Sequence, residues 1–353
     1  MKKLVLFCEA LKNRAGIERM TVELANLLKD IYKVTIITID PFSYDECPYK
    51  IDQEVNVITL NSQFNKSLIS LNIHNIRLLR KNLLTIRPSA IIAVATPMVR
   101  IAVPAALGLS IKTIGWEHFN IFAGSTIGAM YKAIASWIVK DTVVLTEADA
   151  VDYRKFHAPN ISVIPNFTSI GNHKPSKCSS NILLAVGRHA SQKGFDLLLK
   201  AWAKTEAPDW KLRIVGSGED KQKNENLTKR LKIEHRVEFK EATPDIVSEF
   251  QSASCFVLSS RFEGLVLVLI EAKMMGLPCI SFDCPNSPKE VIQNGIDGWL
   301  VPPEDIDALA QELSVRLSNH DELCRAGYEG RIDALKRYSP QSIKSKWINL
   351  IEQ

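Results

Sequence analysis

The sequence predicts an α/β fold of two domains, each a parallel sheet covered by helices. Three observations lead there. Short β-branched runs alternate with longer helical patterns through both halves of the chain. At 353 residues the chain exceeds one ordinary compact domain and suits two, each with its own core. Between the halves, residues 165–180 are rich in Pro, Asn, Ser and Lys and carry no periodic pattern, which reads as a linker. The expected division is 1–166, 167–335, and a C-terminal helix at 336–353 packing back toward the first domain.

In the first half the strands are expected at 4–8, 34–38, 55–60, 90–94, 113–116, 141–145 and 161–164. After the first of them comes Gly16-Ile-Glu18-Arg19, with a helix expected from Met20. This turn reads either as a capped helix start or as backbone amides open to an anion. Glu117 and His118 end the fifth strand; each reads as a ligand contact or as an incidental loop residue.

The second half starts afresh, with strands expected at 182–186, 211–215, 237–239, 255–258, 278–282 and 299–301. Ligands of such sheets bind beyond the carboxyl ends of the strands, so residues that follow strands are the candidates. The first strand leads into Gly187-Arg188 and then Lys193-Gly194, two cations suited to a diphosphate or simply solvated. Next comes Gly216-Ser217-Gly218, where glycine permits a close backbone approach or a tight turn. It lacks the third glycine and the later acid of a dinucleotide fingerprint.

After the strand at 255–258 stands Arg261-Phe-Glu263-Gly264-Leu265-Val266, then a helix carrying Glu271. The helix N-terminus attracts phosphate, and the two carboxylates can accept hydrogen bonds from sugar hydroxyls. Val268, Leu269, Ile270, Ala272 and Met275 make this helix apolar nearly all round. It is therefore expected to be buried, and a buried Glu271 needs partners. Asp305-Ile-Asp307 has the spelling of a metal motif but opens a helix after Pro302-Pro303, so it reads as N-capping.

Composition narrows the class. An apolar fraction of 46% fits a globular protein and excludes a largely disordered one. The most apolar region, 90–111, is interrupted by Pro97, Arg100 and Pro104, too early for a membrane span. The apolar run after Lys2-Lys3 is too short for a signal peptide, and seven cysteines without a CxxC pair argue against a disulfide framework or structural zinc. A cytoplasmic location is expected.

The net charge of +5 lies wholly in the first half: 1–166 hold 19 basic and 14 acidic residues, the remainder equal numbers of each. From Val55 to Trp116 there is no acid, while Lys66, Arg77, Arg80, Lys81, Arg87, Arg100 and Lys112 are present. That window reads as a solvated helix face, or as a patch meeting an anionic membrane or a pyrophosphate-linked molecule. Nucleic acid is disfavoured, because aromatics are not interleaved and no reading motif is present.

Taken in order, Gly187-Arg188 with Lys193-Gly194, Gly216-Ser217-Gly218, Glu263-Gly264 to Glu271-Ala272, Gly276-Leu-Pro278, Glu290-Val-Ile292, Gly295 and Gly298 to Val301 resemble the retaining GT-B glycosyltransferases of glycosyltransferase family 4. The resemblance covers essentially the whole second half. It implies two Rossmann-like, doubly wound domains facing across a cleft and transfer of a hexose or N-acetylhexosamine from a UDP-sugar. The acceptor implied is a lipid-linked (undecaprenyl-pyrophosphate) oligosaccharide in bacterial surface polysaccharide assembly; the alternatives are a small soluble acceptor or a non-catalytic nucleotide-sugar-binding subunit.

Under the resemblance, Arg188 and Lys193 hold the donor diphosphate, the amides of Leu265 and Val266 bind phosphate oxygens, Glu271 takes the ribose and Glu263 the transferred sugar. Lys240 and Glu241 lie beside the base. Gly16 approaches the donor phosphate, His118 hydrogen-bonds the donor sugar, and Arg19 and Glu117 meet the acceptor. No metal or other cofactor is expected. Three departures stand out: Ala15-Gly16 in place of two glycines, Val266 in place of a small residue or proline, and Asn286-Ser287 before Pro288 in place of a Gly-Gly or Thr-Gly pair. The last two lie near the implied sugar pocket and leave the sugar open.

Overall fold

The computed structural model describes residues 1–13, 15–64, 72–122, 125–285 and 288–353. Asn286, Ser287 and Lys66 therefore lie outside the described residues. The chain divides into two compact units: Met1–Pro165 with Ile343–Gln353, and Asn166–Ser342.

Among the described residues the first unit is built on seven parallel strands: β1 (Lys2–Cys8), β2 (Tyr32–Thr38), β3 (Asn56–Thr59), β4 (Ala90–Val94), β5 (Lys112–Trp116), β6 (Asp141–Val144) and β7 (Ile161–Val163). Their order in the sheet is β3-β2-β1-β4-β5-β6-β7. Leu4, Val5, Leu6 and Phe7 are all fully buried, which is why β1 reads as an unbroken apolar run: a central strand has both faces covered. Helices α1 (Gly16–Leu28), α2 (Ile73–Ile86), α3 (Thr96–Ala106), α4 (Thr126–Ile138) and α5 (Glu147–Lys155) cover it.

The described residues of the second unit form six parallel strands: β8 (Ile182–Val186), β9 (Lys211–Val215), β10 (Val237–Lys240), β11 (Cys255–Leu258), β12 (Cys279–Phe282) and β13 (Gly298–Val301), in the order β10-β9-β8-β11-β12-β13. Its helices are α6 (Phe195–Lys204), α7 (Lys221–Leu231), α8 (Ile246–Ser252), α9 (Leu267–Met274), α10 (Pro288–Val291), α11 (Ile306–Leu317) and α12 (His320–Tyr338). One apolar cluster, with Trp202, Leu212 and Leu313, fills one face of this sheet, and another, with Phe250, Phe256 and Ile270, fills the other. Each sheet has one place where strand order reverses, between β1 and β4 and between β8 and β11. Such switch points are where open α/β sheets bind ligands.

Four local expectations are corrected. The single C-terminal helix expected at 336–353 is two helices, because Ser339 is extended (φ −67°, ψ 151°) ahead of Pro340, where α13 (Pro340–Glu352) begins. A residue preceding proline is driven out of the helical region, while proline itself suits a first helical position. From Ile343 onward α13 belongs to the first unit. There Trp347 packs edge-on against Trp116 at 5.2 Å and Lys112 donates to the Leu350 carbonyl at 2.6 Å.

Helix α1 begins at Gly16, four residues ahead of the expected Met20, since extended Ala15 already accepts the first helical bond from the Arg19 amide. The stretch 165–180 is not a loose linker. Phe167, Ile170 and Cys178 are buried in the second unit, Arg331 donates to the Gly171 carbonyl at 3.0 Å, and the Ser176 amide donates to Met275. Finally, the acid-free window is only in part a solvated face. Arg77 and Lys81 are exposed on α2, but Arg80 ties the end of α3 by donating to Ala105 and Leu107 carbonyls at 3.0 and 2.7 Å. Arg100 lies over Phe64, and Lys112 pairs with Asp141. Among the described residues no helix is long and apolar enough to cross a membrane.

Candidate active site

In the second unit, the segments following β8, β9 and β11 meet at the switch point and are interlocked through their backbones. The Gly187 amide donates to Val215, His189 to Ser217, and Asp220 to His189. A Cβ on Gly216 would stand 1.9 Å from the Gly187 carbonyl oxygen, and one on Gly218 would stand 2.5 Å from that of His189. These two glycines are thus required by the approach of the neighbouring loop. Gly194 does the same across β8 and β11: its φ is +61°, and a Cβ would sit 2.1 Å from the Ser259 carbonyl. The Arg261 amide donates to Gln192, and Ser259 Oγ to the Lys193 carbonyl at 2.9 Å, closing the seam.

On this seam Lys193 Nζ meets Glu263 Oε1 at 2.6 Å, with both side chains largely buried. Ser260 Oγ donates to the same oxygen at 2.6 Å, and Gln192 Nε2 to the other at 3.4 Å. Glu263, which has no evident partner in the sequence, therefore has several in the structure. Gly187 leaves room for the Lys193 stem, which would lie 3.3 Å from any Cβ there. Arg188 is exposed and has no ion-pair partner among the described residues. Gly264, Leu265 and Val266 lead directly to the N-terminus of α9, where amides of the first turn lack an acceptor within the helix.

Glu271 on α9 is buried, as its apolar helix implies, and Thr168 Oγ1 lies 3.5 Å from its Oε1. This partner of Glu271 comes from the strap 166–178, which the sequence alone treats as linker. Lys240 is taken up by Glu249 at 2.9 Å, and Glu241 accepts from Ser217 Oγ at 2.9 Å and from Lys221. The Lys221 and Ser217 hydrogen bonds hold the Glu241 carboxyl below its ordinary range.

Two features here escape sequence reading. His189 is fully buried, its Nδ1 3.0 Å from Asn224 Nδ2 and its ring between Phe195 and Phe239; burial, then nearby Lys221, pushes its pKa down, so it is neutral. Lys273 is fully buried and pairs with Asp297 at 2.8 Å and Asp333 at 3.0 Å, anchoring α9 to α12 and the β13 approach. A lysine inside an otherwise apolar helix was the available signal for the latter.

In the first unit, Glu117 and His118 leave β5. Glu117 is 5% exposed, so it is not a solvated loop acid. Its Oε1 accepts from the His118 and Phe119 amides at 3.0 and 3.3 Å, and Thr96 Oγ1 donates to Oε2. Burial raises its pKa, with Lys132 opposing. This carboxylate fixes the loop that carries His118. Burial pushes the His118 pKa down to about 3, so the imidazole is neutral; its ring is tilted by 47° against Trp116 with centroids 4.5 Å apart, and Nε2 has no hydrogen-bond partner among the described residues.

At the switch point of this unit, a cavity of about 160 Å³ is lined by Glu9, Asn13, Ile17, Ala95 and Pro97. Ala95 has φ +67°, a strained conformation for a residue with a side chain. Gly16 borders open space, with nothing within 4 Å of a would-be Cβ, while Arg19 pairs with Glu23 at 2.8 Å.

Asp305 caps α11 by accepting from the Ala308 amide at 2.9 Å, as its position after two prolines implies. Among the described residues one set of donors is close enough to share a metal: Cys178, His320 and Cys324, within 4.8 Å of one another. Burial and the neighbouring Cys324 raise the Cys178 thiol to about 12, so it is protonated, and the trio stands apart from the β8–β11 seam.

Two Rossmann-like parallel-sheet domains with phosphate-compatible loops at their switch points define the GT-B class, and solved structures share this fold. One is Anabaena HepE in complex with UDP and glucose, with a TM-score of 0.81 at 17% identity over 100% of both chains. Residues 169–333 match the model of the family described as "Glycosyl transferases group 1". An uncharacterized glycosyltransferase of Haemophilus influenzae is 30% identical over 364 residues, covering 99% of this chain and 100% of that protein. The chain belongs to the group 1 glycosyltransferases. Also similar, at 28% identity over 99% of this chain and 98% of its own length, is a Campylobacter jejuni α-1,4-N-acetyl-D-galactosaminyltransferase named for a PP-undecaprenol-linked acceptor.

Proposed function

We propose that this glycosyltransferase is a retaining enzyme of family 4 that moves a hexose or N-acetylhexosamine from a UDP-sugar to a lipid-linked oligosaccharide in bacterial surface polysaccharide assembly, at the cytoplasmic face of the membrane. The observation that carries the donor half is the Lys193–Glu263 pair at the β8–β11 switch point, beside exposed Arg188 and the N-terminus of α9. Two cations and a helix terminus offer the leaving diphosphate the charge stabilisation that a metal supplies elsewhere. The donor C1–O bond breaks and the acceptor oxygen bonds C1 on the same face. UDP departs, its phosphate oxygen taking the hydroxyl proton.

Glu263 is held by Lys193 and Ser260 with one oxygen turned to Gln192, a fixed acceptor for sugar hydroxyls. Buried Glu271 is the ribose contact, and neutral His118 a hydrogen-bonding group for the transferred sugar. The lipid-linked acceptor is supported by the full-length likeness to the Campylobacter jejuni enzyme.

The test is a panel of UDP-sugars incubated with extracted lipid-linked oligosaccharides in EDTA, with UDP release measured and product anomers assigned by NMR. One UDP-sugar should turn over with the α configuration kept, and Arg188→Ala or Lys193→Ala should lower the rate by at least about 100-fold while leaving the fold intact. Near-normal rates in both variants, or an inverted product, refute it. Turnover with free sugars alone would favour the soluble-acceptor reading, and UDP-sugar binding without release the non-catalytic one.

A further inference from the structure

Helix α4 presents a stripe of large apolar side chains to solvent: Ile127, Met130, Ile134 and Trp137 are 65, 61, 54 and 58% exposed. The spacing of three and four residues places them on one face. The opposite side is small and buried, with Ala129, Ala133, Ala135 and Ser136 against the sheet. The packing therefore leaves the helix's large residues outside and its small ones inside, the reverse of an ordinary surface helix. The stripe continues sideways: Trp137 Nε1 donates to the Phe156 carbonyl at 2.9 Å, and the Phe156 ring lies 5.9 Å from that of exposed Phe122. A contiguous apolar patch of this kind marks an interaction surface.

The surrounding charge indicates what meets it. From Val55 to Lys140 the single carboxylate is Glu117, and it is buried. Exposed Lys140 follows α4, and Arg77 and Lys81 stand exposed on α2; at α5 exposed Arg154 stands beside a Lys155–Asp152 pair at 2.7 Å, with exposed Glu147 at the far end of the helix. Helices α2, α3 and α4 share one core cluster, so they form one layer on the sheet. An apolar stripe with a tryptophan, on a helix layer whose charges from Val55 to Lys140 are all cations apart from buried Glu117, fits an anionic lipid surface: side chains enter the acyl boundary while the cations meet headgroups. We propose that α4 is the membrane-docking element of this protein, its Ile127–Met130–Ile134–Trp137 stripe inserting into the interface of an anionic bilayer. This rests on the lipid-linked acceptor reading for its purpose, and it moves the apolar anchor from the basic window to α4.

The protein carries its own probe. Trp116, Trp202, Trp210, Trp299 and Trp347 are each at most 6% exposed, so Trp137 is the one tryptophan of six open to water. Phosphatidylglycerol vesicles should shift the emission to the blue, bromine-labelled acyl chains should quench it, and Trp137→Phe should remove both responses. Met130→Gln with Ile134→Gln, conservative at exposed positions, should weaken vesicle sedimentation by about tenfold or more while thermal unfolding and UDP binding stay as in wild type.

Phosphatidylcholine vesicles should bind far less. Sedimentation or quenching undiminished in the double variant would overturn the assignment. So would a concentration-dependent blue shift without vesicles, with dimerisation in ultracentrifugation, which would make the stripe a contact between copies. No donor or acceptor is present, so these outcomes are separate from success or failure of the transfer reaction.

Discussion

Replacing Glu263 with Gln removes one charge from the centre of the candidate donor site, and its consequences for stability and for ligand binding have opposite signs. At 2.6 Å and an effective dielectric near 20, the raw attraction to Lys193 is about 6 kcal/mol, most of which desolvation offsets. The side chains are 19 and 9% exposed, so solvent screens the pair little, and a net coupling of about 1–3 kcal/mol is expected. Urea unfolding of wild type, Glu263→Gln, Lys193→Gln and the double variant yields that coupling directly. Freed of its partner, Lys193 presents its full charge to a diphosphate. UDP should therefore bind Glu263→Gln several-fold more tightly than wild type in calorimetry, although sugar transfer collapses. A coupling below about 0.5 kcal/mol, or a loss of UDP affinity in Glu263→Gln equal to that in Lys193→Gln, would refute the reasoning.

Other outcomes follow from the same structure. Gly216→Ala should cost about 3 kcal/mol or more in urea unfolding, because its Cβ would meet the Gly187 carbonyl at 1.9 Å, whereas Gly16→Ala, in open space, should change stability by no more than about 1 kcal/mol and report only on donor approach through activity. Lys273→Met leaves Asp297 uncompensated in the core and should cost about 3–5 kcal/mol, part of which Asp297→Asn in the same chain should restore. His118 has its pKa lowered to about 3, so the unfolded state takes up a proton that the native state refuses between that value and 6.5. Stability from this group is complete above about pH 6.5 and falls by up to about 1.4 kcal/mol per pH unit below it; His118→Asn should flatten that slope in unfolding curves taken between pH 7 and 4.

All thirteen strands of the described residues were legible, because buried parallel strands leave uninterrupted apolar runs such as those of β1, β4 and β11. Residues placed by strand ends were legible too: the pattern alone brings Lys193 and Glu263 to adjacent carboxyl ends of β8 and β11. What it missed was set by long-range packing. The strap 166–178 looks like linker because its composition is polar, yet Ile170 and Thr168 are fixed by contacts with residues a hundred positions away. Gly216 and Gly218 read as a close approach to a ligand or as a tight turn, while the backbone they admit is that of Gly187 and His189. Glu117 is spelled like a loop acid, and nothing local announces that two following amides and Thr96 bury it. The apolar stripe of α4 is periodic in sequence, but periodicity does not say which side faces the sheet.

The central claim is that Arg188, Lys193 and the N-terminus of α9 hold a nucleoside diphosphate without a metal. Calorimetric titration of UDP and of uridine, both in EDTA, isolates that contribution, since the two ligands share the base and ribose and differ in the diphosphate. UDP should bind at least about 100-fold more tightly than uridine, and Arg188→Ala should remove most of the difference while leaving uridine binding unchanged. Equal affinities for the two ligands, or a UDP preference that appears only when a divalent cation is added, would contradict it.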